Sequence, residues 1–131
     1  MKIIDGTSAA LGRLASYVAK EALRGEEIAV LNCEKVIITG SKKDILKDFA
    51  WKRSMVGSSQ KGPKYPKTSE RIVKRTIRGM MPDHREGRGK VAFKRIKCYN
   101  GIPNEFEGKK METMVKKANK FVEIKEVSRC E

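Results

Sequence analysis

Two short apolar runs joined by one helical period open this chain, and that order restricts its fold more than any other feature. Lys2 to Asp5 (KIID) reads as a strand closed by Gly6. Thr7 or Ser8 is placed to cap a helix running to about Arg24, with Leu11, Leu14, Ala15, Val18 and Ala22 on its inner face. Gly25 is the stop signal. Ile28 to Leu31 (IAVL) is apolar throughout, the pattern of a strand covered on both faces. Strand, helix and strand in this order make a βαβ unit with a right-handed crossover. The expectation is an α/β fold.

The next apolar run, Val36 to Thr39, follows after only four residues, too few for a parallel crossover. It is therefore a hairpin partner or a bent continuation of the strand before it. Gly40, Ser41, Lys42 and Lys43 then open a second helix, with Ser41 as cap and Ile45, Leu46 and Phe49 inward. Asp44 and Asp48 read as helix-surface partners for Lys47 and Lys52. Gly57 to Lys67 (GSSQKGPKYPK) has turn residues, three lysines and no apolar period, so it is a loop. Little burial is available to offset the entropy of ordering it, and it is expected to be mobile until a ligand orders it. Tyr65 within it either stacks on a base or sugar or pins the loop to the protein.

Ser69 to Pro82 (SERIVKRTIRGMMP) is a third helix candidate, with Ser69 as cap and Gly79 and Pro82 at its end. Ile72, Val73, Thr76, Ile77 and Met80 fall on one face, and Arg71, Lys74, Arg75 and Arg78 on the other. An ordinary solvated face mixes signs, yet after Glu70 no acid appears until Asp83. Further on, Lys90, Lys94 and Lys97 repeat the device beside Val91, Ala92, Phe93 and Ile96. The joining loop, Asp83 to Gly89, carries two glycines and two arginines, so its backbone is expected to approach a ligand closely. Ile96 to Asn100 alternates as a strand. Met111, Met114, Val115 and Ala118 suggest a short helix, and Phe121 to Val127 an edge strand or docked tail.

Charge is distributed as unevenly as this reading requires. The net formal charge is +14 over 131 residues, one domain's worth of chain. Residues 1–40 carry five cations and five acids, whereas residues 41–110 carry twenty against seven. An excess confined to the middle of a chain suits a polyanion-binding surface. Nucleic acid is favoured over anionic membrane, because the faces opposite the cations look like core faces. No apolar run approaches the roughly 20 residues of a membrane span, and the N-terminus has no basic-then-apolar leader pattern. The expectation is a soluble, intracellular protein.

Catalytic and metal chemistry find little support. Cys33, Cys98 and Cys130 contain no CxxC pair, and Cys33 and Cys98 lie in or beside strand-like runs, where a free thiol acts as a small hydrophobe. With His84 alone elsewhere there is no zinc pattern. Five residues separate Gly6 from Gly12, and Arg13 and Leu14 follow, so no phosphate-binding P-loop is formed. Gly40 to Lys43 is better placed to hold one backbone phosphate at a helix start. No catalytic residue and no cofactor is assigned.

Four blocks in order, IDGTSAALGRLAS, AVLNCEKVIITGSK, RGMMP and GKVAFKRIKCYNGIP, resemble the large-ribosomal-subunit protein thirteen family over residues 3 to 103. The resemblance implies a three-layer α/β/α fold with a small, mainly parallel four-stranded sheet. It also implies binding to large-subunit rRNA, early in assembly, beside neighbouring ribosomal proteins and without catalysis. The N- and C-terminal lengths resemble the archaeal type. Met81 stands where the family more usually has Leu, and residues after Asn104 match less well.

Residues expected to contact phosphate are Lys42, Lys43, Lys52 and Arg53, then Lys61, Lys64 and Lys67 of the loop. Arg71, Lys74, Arg75 and Arg78 follow, and after them Arg85, Arg88, Lys90, Lys94 and Arg95. The alternatives are a nucleotide-binding or RNA-modifying enzyme on the same βαβ start, and a DNA-compacting protein.

Overall fold

The computed structural model describes residues 1–129, so Cys130 lies outside the described residues. The N-terminal half runs β1 (Lys2–Asp5), α1 (Leu11–Leu23), β2 (Ile28–Leu31), β3 (Ile37–Thr39) and α2 (Lys42–Ser54). Next come α3 (Ser69–Gly79), α4 (Gly87–Lys94) and β4 (Ile96–Cys98), then β5 (Glu112–Thr113), β6 (Phe121–Glu123) and α5 (Ile124–Arg129).

The βαβ start is formed as expected. β1 and β2 pair in parallel, Lys2 opposite Ile28 and Asp5 opposite Leu31, with α1 as the crossover. The helix starts later than its candidate caps, however. Thr7 donates both its N–H (3.0 Å) and its hydroxyl (2.7 Å) to Asp5 Oδ1, and Ser8 has φ +56°. Both residues build a turn, and Ala10 becomes the N-cap with no side-chain bond.

The sheet order is β4-β2-β1-β5, and every pairing in it is parallel. Its fourth strand is β5, where the spacing of Met111, Met114, Val115 and Ala118 predicted a helix. Met111 packs on one face of the sheet and Met114 on the other. An interval of three separates faces in a strand and shares a face in a helix, so the same spacing served the other structure.

β3 is neither a hairpin partner of β2 nor its continuation. Asn32, at φ +53°, and the 3-10 turn Cys33–Lys35 carry the chain off the sheet. β3 then pairs antiparallel with β6, Ile37 opposite Glu123 and Thr39 opposite Phe121. The tail is therefore both strand and dock: after β6, α5 buries Ile124 and Val127 in the core.

Alternation along the strands assigns the two faces. Ile4, Ile28 and Val30 join the main core with Leu14 and Val18 of α1, Ile72, Val73 and Ile77 of α3, and Ile124 and Val127 of α5. Ile3, Ala29 and Leu31 face the other way, under Phe106, Tyr99 and Met111. That second outer layer is thin, being built around the 3-10 turn Asn104–Phe106. Each fully buried Leu, Ile or Val contributes about 1.5–3 kcal/mol relative to exposure.

Cys33 is fully buried and donates weakly to the carbonyl of Val30 at 3.6 Å. Its hydrogen bond with Cys98, and then its burial, push the thiol far above its ordinary range. It behaves as a core residue, as its setting suggested. Among the described residues no helix is long and apolar enough to cross a membrane.

Candidate nucleic-acid interface

α3 is the centre of the basic surface. Its N-cap is Thr68, and Ser69, expected to cap, is buried instead. Ile72, Val73 and Ile77 are buried, and the Thr76 hydroxyl donates to the carbonyl of Ile72 at 3.0 Å. Met80 was expected on this face, but it follows the last helical residue and is 44% exposed. Arg71 is exposed, and Lys74, Arg75 and Arg78 are half-exposed. Burying one face of α3 against α1 leaves these four cations on the other.

α4 lies beside this face and differs from expectation in two ways. Its first residue is Gly87, so Gly87 to Gly89 is helical rather than loop. Gly89 is buried, and a Cβ there would fall 2.3 Å from the carbonyl oxygen of Pro82 and 2.4 Å from that of Asp83. The missing side chain serves packing on the chain itself, not approach of a ligand. The helix then ends at Lys94, so Lys97 belongs to β4 and the i, i+4, i+7 series is broken. Arg85, Arg88, Lys90 and Lys94 are all exposed around α4.

Between these elements lies an open cleft of about 280 Å³. Lys64 of the loop and Arg71, Lys74, Arg75 and Arg78 of α3 line it, with His84 and Phe93 completing the wall. Lys74 Nζ sits 5.1 Å from the centre of the Phe93 ring, against which His84 packs edge-on at 6.3 Å. Among the described residues, no carboxylate lines the cleft. Five cations around one opening create a positive potential that attracts phosphate, and the aromatic ring gives a base or sugar a surface to lie on. The sequence reading missed His84 and Phe93 because an aromatic beside Ala92 reads as core. The signal available was Phe93 lying within one segment of Lys90 and Lys94.

The 57–67 loop has anchors of its own. The Gly62 N–H donates to the carbonyl of Val56 at 2.9 Å, and Ser58–Gln60 forms a 3-10 turn between them. Arg75 Nη1 donates to the carbonyl of Lys64 at 3.0 Å, and its guanidinium carbon lies 4.1 Å from the centre of the Tyr65 ring. Tyr65 therefore pins the loop to α3. Lys61 and Lys67 remain exposed.

Other predicted contacts are placed elsewhere. At the start of α2, Gly40, Ser41 and Lys42 line a second open cleft with Asn119, Lys120 and Phe121. Ser41 is the N-cap there but makes no side-chain cap bond, Lys42 pairs with Glu126 at 2.8 Å, and Lys43 is exposed. Asn119 and Lys120 were not anticipated, because only the β3–β6 pairing brings them here. Further along α2, Lys52 pairs with Asp48 at 2.8 Å, as the i, i+4 spacing suggested. Ile45, Leu46 and Phe49 of this helix are half-buried at the margin of the core.

Two arginines are tied inward. Arg53 Nη1 donates to the carbonyl of Val127 at 3.0 Å and joins α2 to α5. Arg95 Nη1 donates to the carbonyl of Ala22 at 3.2 Å, at the C-terminal turn of α1, where a cation also suits the helix dipole. Among the described residues, no three His, Cys, Asp or Glu side chains gather as a metal site would require.

The family model described as ribosomal protein L13 matches residues 1–105. Similarity to individual proteins extends further. The large ribosomal subunit protein uL13 of Archaeoglobus fulgidus is 41% identical over 97% of this chain and 85% of its own length. That of Methanococcoides burtonii is 42% identical over 98% of this chain and 96% of its own. That of Natronomonas pharaonis is 44% identical over 96% and 87% respectively. The chain belongs to the ribosomal protein L13 family.

Proposed function

We propose that this chain is a structural, non-catalytic constituent of the large ribosomal subunit, in the cytoplasm, and that it binds and stabilises large-subunit rRNA early in assembly. The single observation that carries the RNA-binding part is the cleft in which Lys64, Arg71, Lys74, Arg75 and Arg78 converge, with no acid among the described residues that line it. Folded RNA is recognised largely through shape, phosphates and 2′-hydroxyls, because its major groove is too narrow to read. Helix-borne cations around an open groove suit that mode. Arg85, Arg88, Lys90 and Lys94 extend the surface along α4, Lys61 and Lys67 along the loop, and Lys42 and Lys43 at the start of α2. Arg53 and Arg95 act beneath this surface as tethers.

The test is cosedimentation of the tagged chain with large subunits on a sucrose gradient, followed by titration of the purified chain with large-subunit rRNA over a range of salt. Six to ten phosphate contacts would weaken binding by roughly 10³ to 10⁵ between 50 and 200 mM salt, on duplex-DNA calibration. A chain that stays at the top of the gradient, or a flat salt response, overturns the proposal. A saturable nucleotide titration would point to an enzyme instead.

A further inference from the structure

A third opening, a cavity of about 220 Å³, lies between α2, the 57–67 loop and α3. Phe49 and Tyr65 supply aromatic walls, Ile72 an aliphatic surface, and Lys52, Arg75 and Thr76 the polar edge. Lys52 Nζ lies 5.6 Å from the centre of the Phe49 ring and 5.9 Å from that of Tyr65, so a cation stands between the two rings. Arg75 holds the Tyr65 ring from α3 and also lines the phosphate-attracting cleft, so the two openings share one wall.

We propose that this cavity takes one unstacked base of the bound RNA, an inference that rests on the RNA-binding reading above. Three features carry it. Size is the first: sites for drug-sized ligands run from about 300 to 1,000 Å³, so this cavity suits a single planar ring system rather than a whole nucleotide cofactor. The second is chemistry, since two aromatic rings and an aliphatic side chain receive the faces of any base that leaves its stack. The third is the position of the cations. A base inserted here carries its flanking phosphates to the edge where Lys52 and Arg75 stand. Lys52, paired with Asp48 at 2.8 Å, is a point charge on a flexible stem, able to exchange that partner and the rings for phosphate as the base enters. The Thr76 hydroxyl, whose proton is committed to Ile72, keeps its oxygen as an acceptor for a base N–H.

The experiment uses the full chain and protein-free large-subunit rRNA. Wild type, Tyr65→Ala and Tyr65→Phe are compared for Kd as a function of salt, and each complex is probed with reagents that modify the Watson–Crick edges of unpaired bases. Loss of one base stack weakens binding by about 5- to 150-fold. Tyr65→Ala is expected to lose affinity by that factor with an unchanged salt slope, and Tyr65→Phe to bind as wild type. One nucleotide protected by wild type should become reactive in the Tyr65→Ala complex. Ultraviolet cross-linking of the wild-type complex should attach a nucleotide to the peptide containing Tyr65, a readout that no variant's folding affects. Equal Kd and equal protection for Tyr65→Ala, or no cross-link at Tyr65, overturn the base site while leaving RNA binding intact. A weaker Kd with a shallower salt slope and no change in base reactivity also overturns it, because Tyr65 would then only position Arg75. Wild type that fails to bind rRNA overturns both readings.

Discussion

The side-chain amide of Asn32 donates to Asp5 Oδ1 at 2.9 Å, joining the ends of the two central strands. The same oxygen receives the N–H and hydroxyl of Thr7. Burial pushes the Asp5 carboxyl up, but the bonds from Asn32 and Thr7, with the charge of Lys35, outweigh it and hold the group below its ordinary value. A carboxyl depressed on folding contributes stability above its unfolded value, and loses it as pH falls through the folded value. Urea midpoints measured from about pH 6 down to about pH 2 should therefore fall more steeply for wild type than for Asp5→Asn. At neutral pH the variant should be less stable by about 1 kcal/mol, since the site is only half-buried and solvent screens it. Parallel pH curves would show that Asp5 titrates alike in both states.

α3 separates folding from binding along a single helix. Replacing Arg71, Lys74, Arg75 and Arg78 together by Ala should leave the circular dichroism spectrum unchanged and weaken rRNA binding. Each lost phosphate contact should lower the salt slope by about one. Ile77 is fully buried, and Ile77→Ala should cost about 2–5 kcal/mol with no change in slope. Ile77→Asp should unfold the chain, because an unpaired charge would be buried. Wild-type affinity in the quadruple variant would remove α3 from the interface.

How far these features were legible depended on how local their causes were. β1, α1, β2 and α3 could be read because each carries its pattern within its own residues, a short apolar run in the strands and a helical period in the helices. The partner of β3 could not, since Phe121 to Glu123 lies more than eighty residues further on and no local pattern announces the pairing. β5 is two residues long, too short for alternation to be seen, and its flanking methionines imitate a helix. The basic surface was legible as composition but not residue by residue. Lys52 and Arg53 are sequence neighbours, yet only the fold makes Lys52 an edge of a cavity and ties Arg53 to α5.

Gly89 offers a test of the contact between α4 and the turn before it. An added Cβ would meet two carbonyl oxygens that belong to backbone and cannot rotate away. Gly89→Ala should therefore destabilise the chain by about 1–3 kcal/mol, the usual cost of overpacking, despite the better helix propensity of Ala. Denaturant unfolding measures this directly. A variant as stable as wild type would mean that α4 shifts to accept the methyl group, and Lys90 and Lys94 would then be held less rigidly than the packing implies.

The loop before α3 should order in two stages. Its neck is closed by backbone alone. A Cβ at Gly57 would lie 2.3 Å from Gly62 Cα, one at Gly62 would lie 2.6 Å from the Val56 carbonyl, and the Gly62 N–H is bonded to that carbonyl. Beyond the neck, Lys64 and Tyr65 are held through Arg75, whose guanidinium is also a candidate phosphate ligand. Side-chain tethers of this kind open more readily than a closed turn in which neither glycine has room for a side chain. Hydrogen exchange on the free chain should therefore find the Gly62 amide protected and the amides of Lys64, Tyr65 and Lys67 exchanging faster. In assembled large subunits all four should be protected, because RNA phosphates would fix Arg75 and the lysines together. Equal exchange at Lys64, Tyr65 and Lys67 in the free and assembled states would mean that the domain alone orders this stretch. Those lysines would then face RNA as a preformed surface, without any ordering contributed by binding.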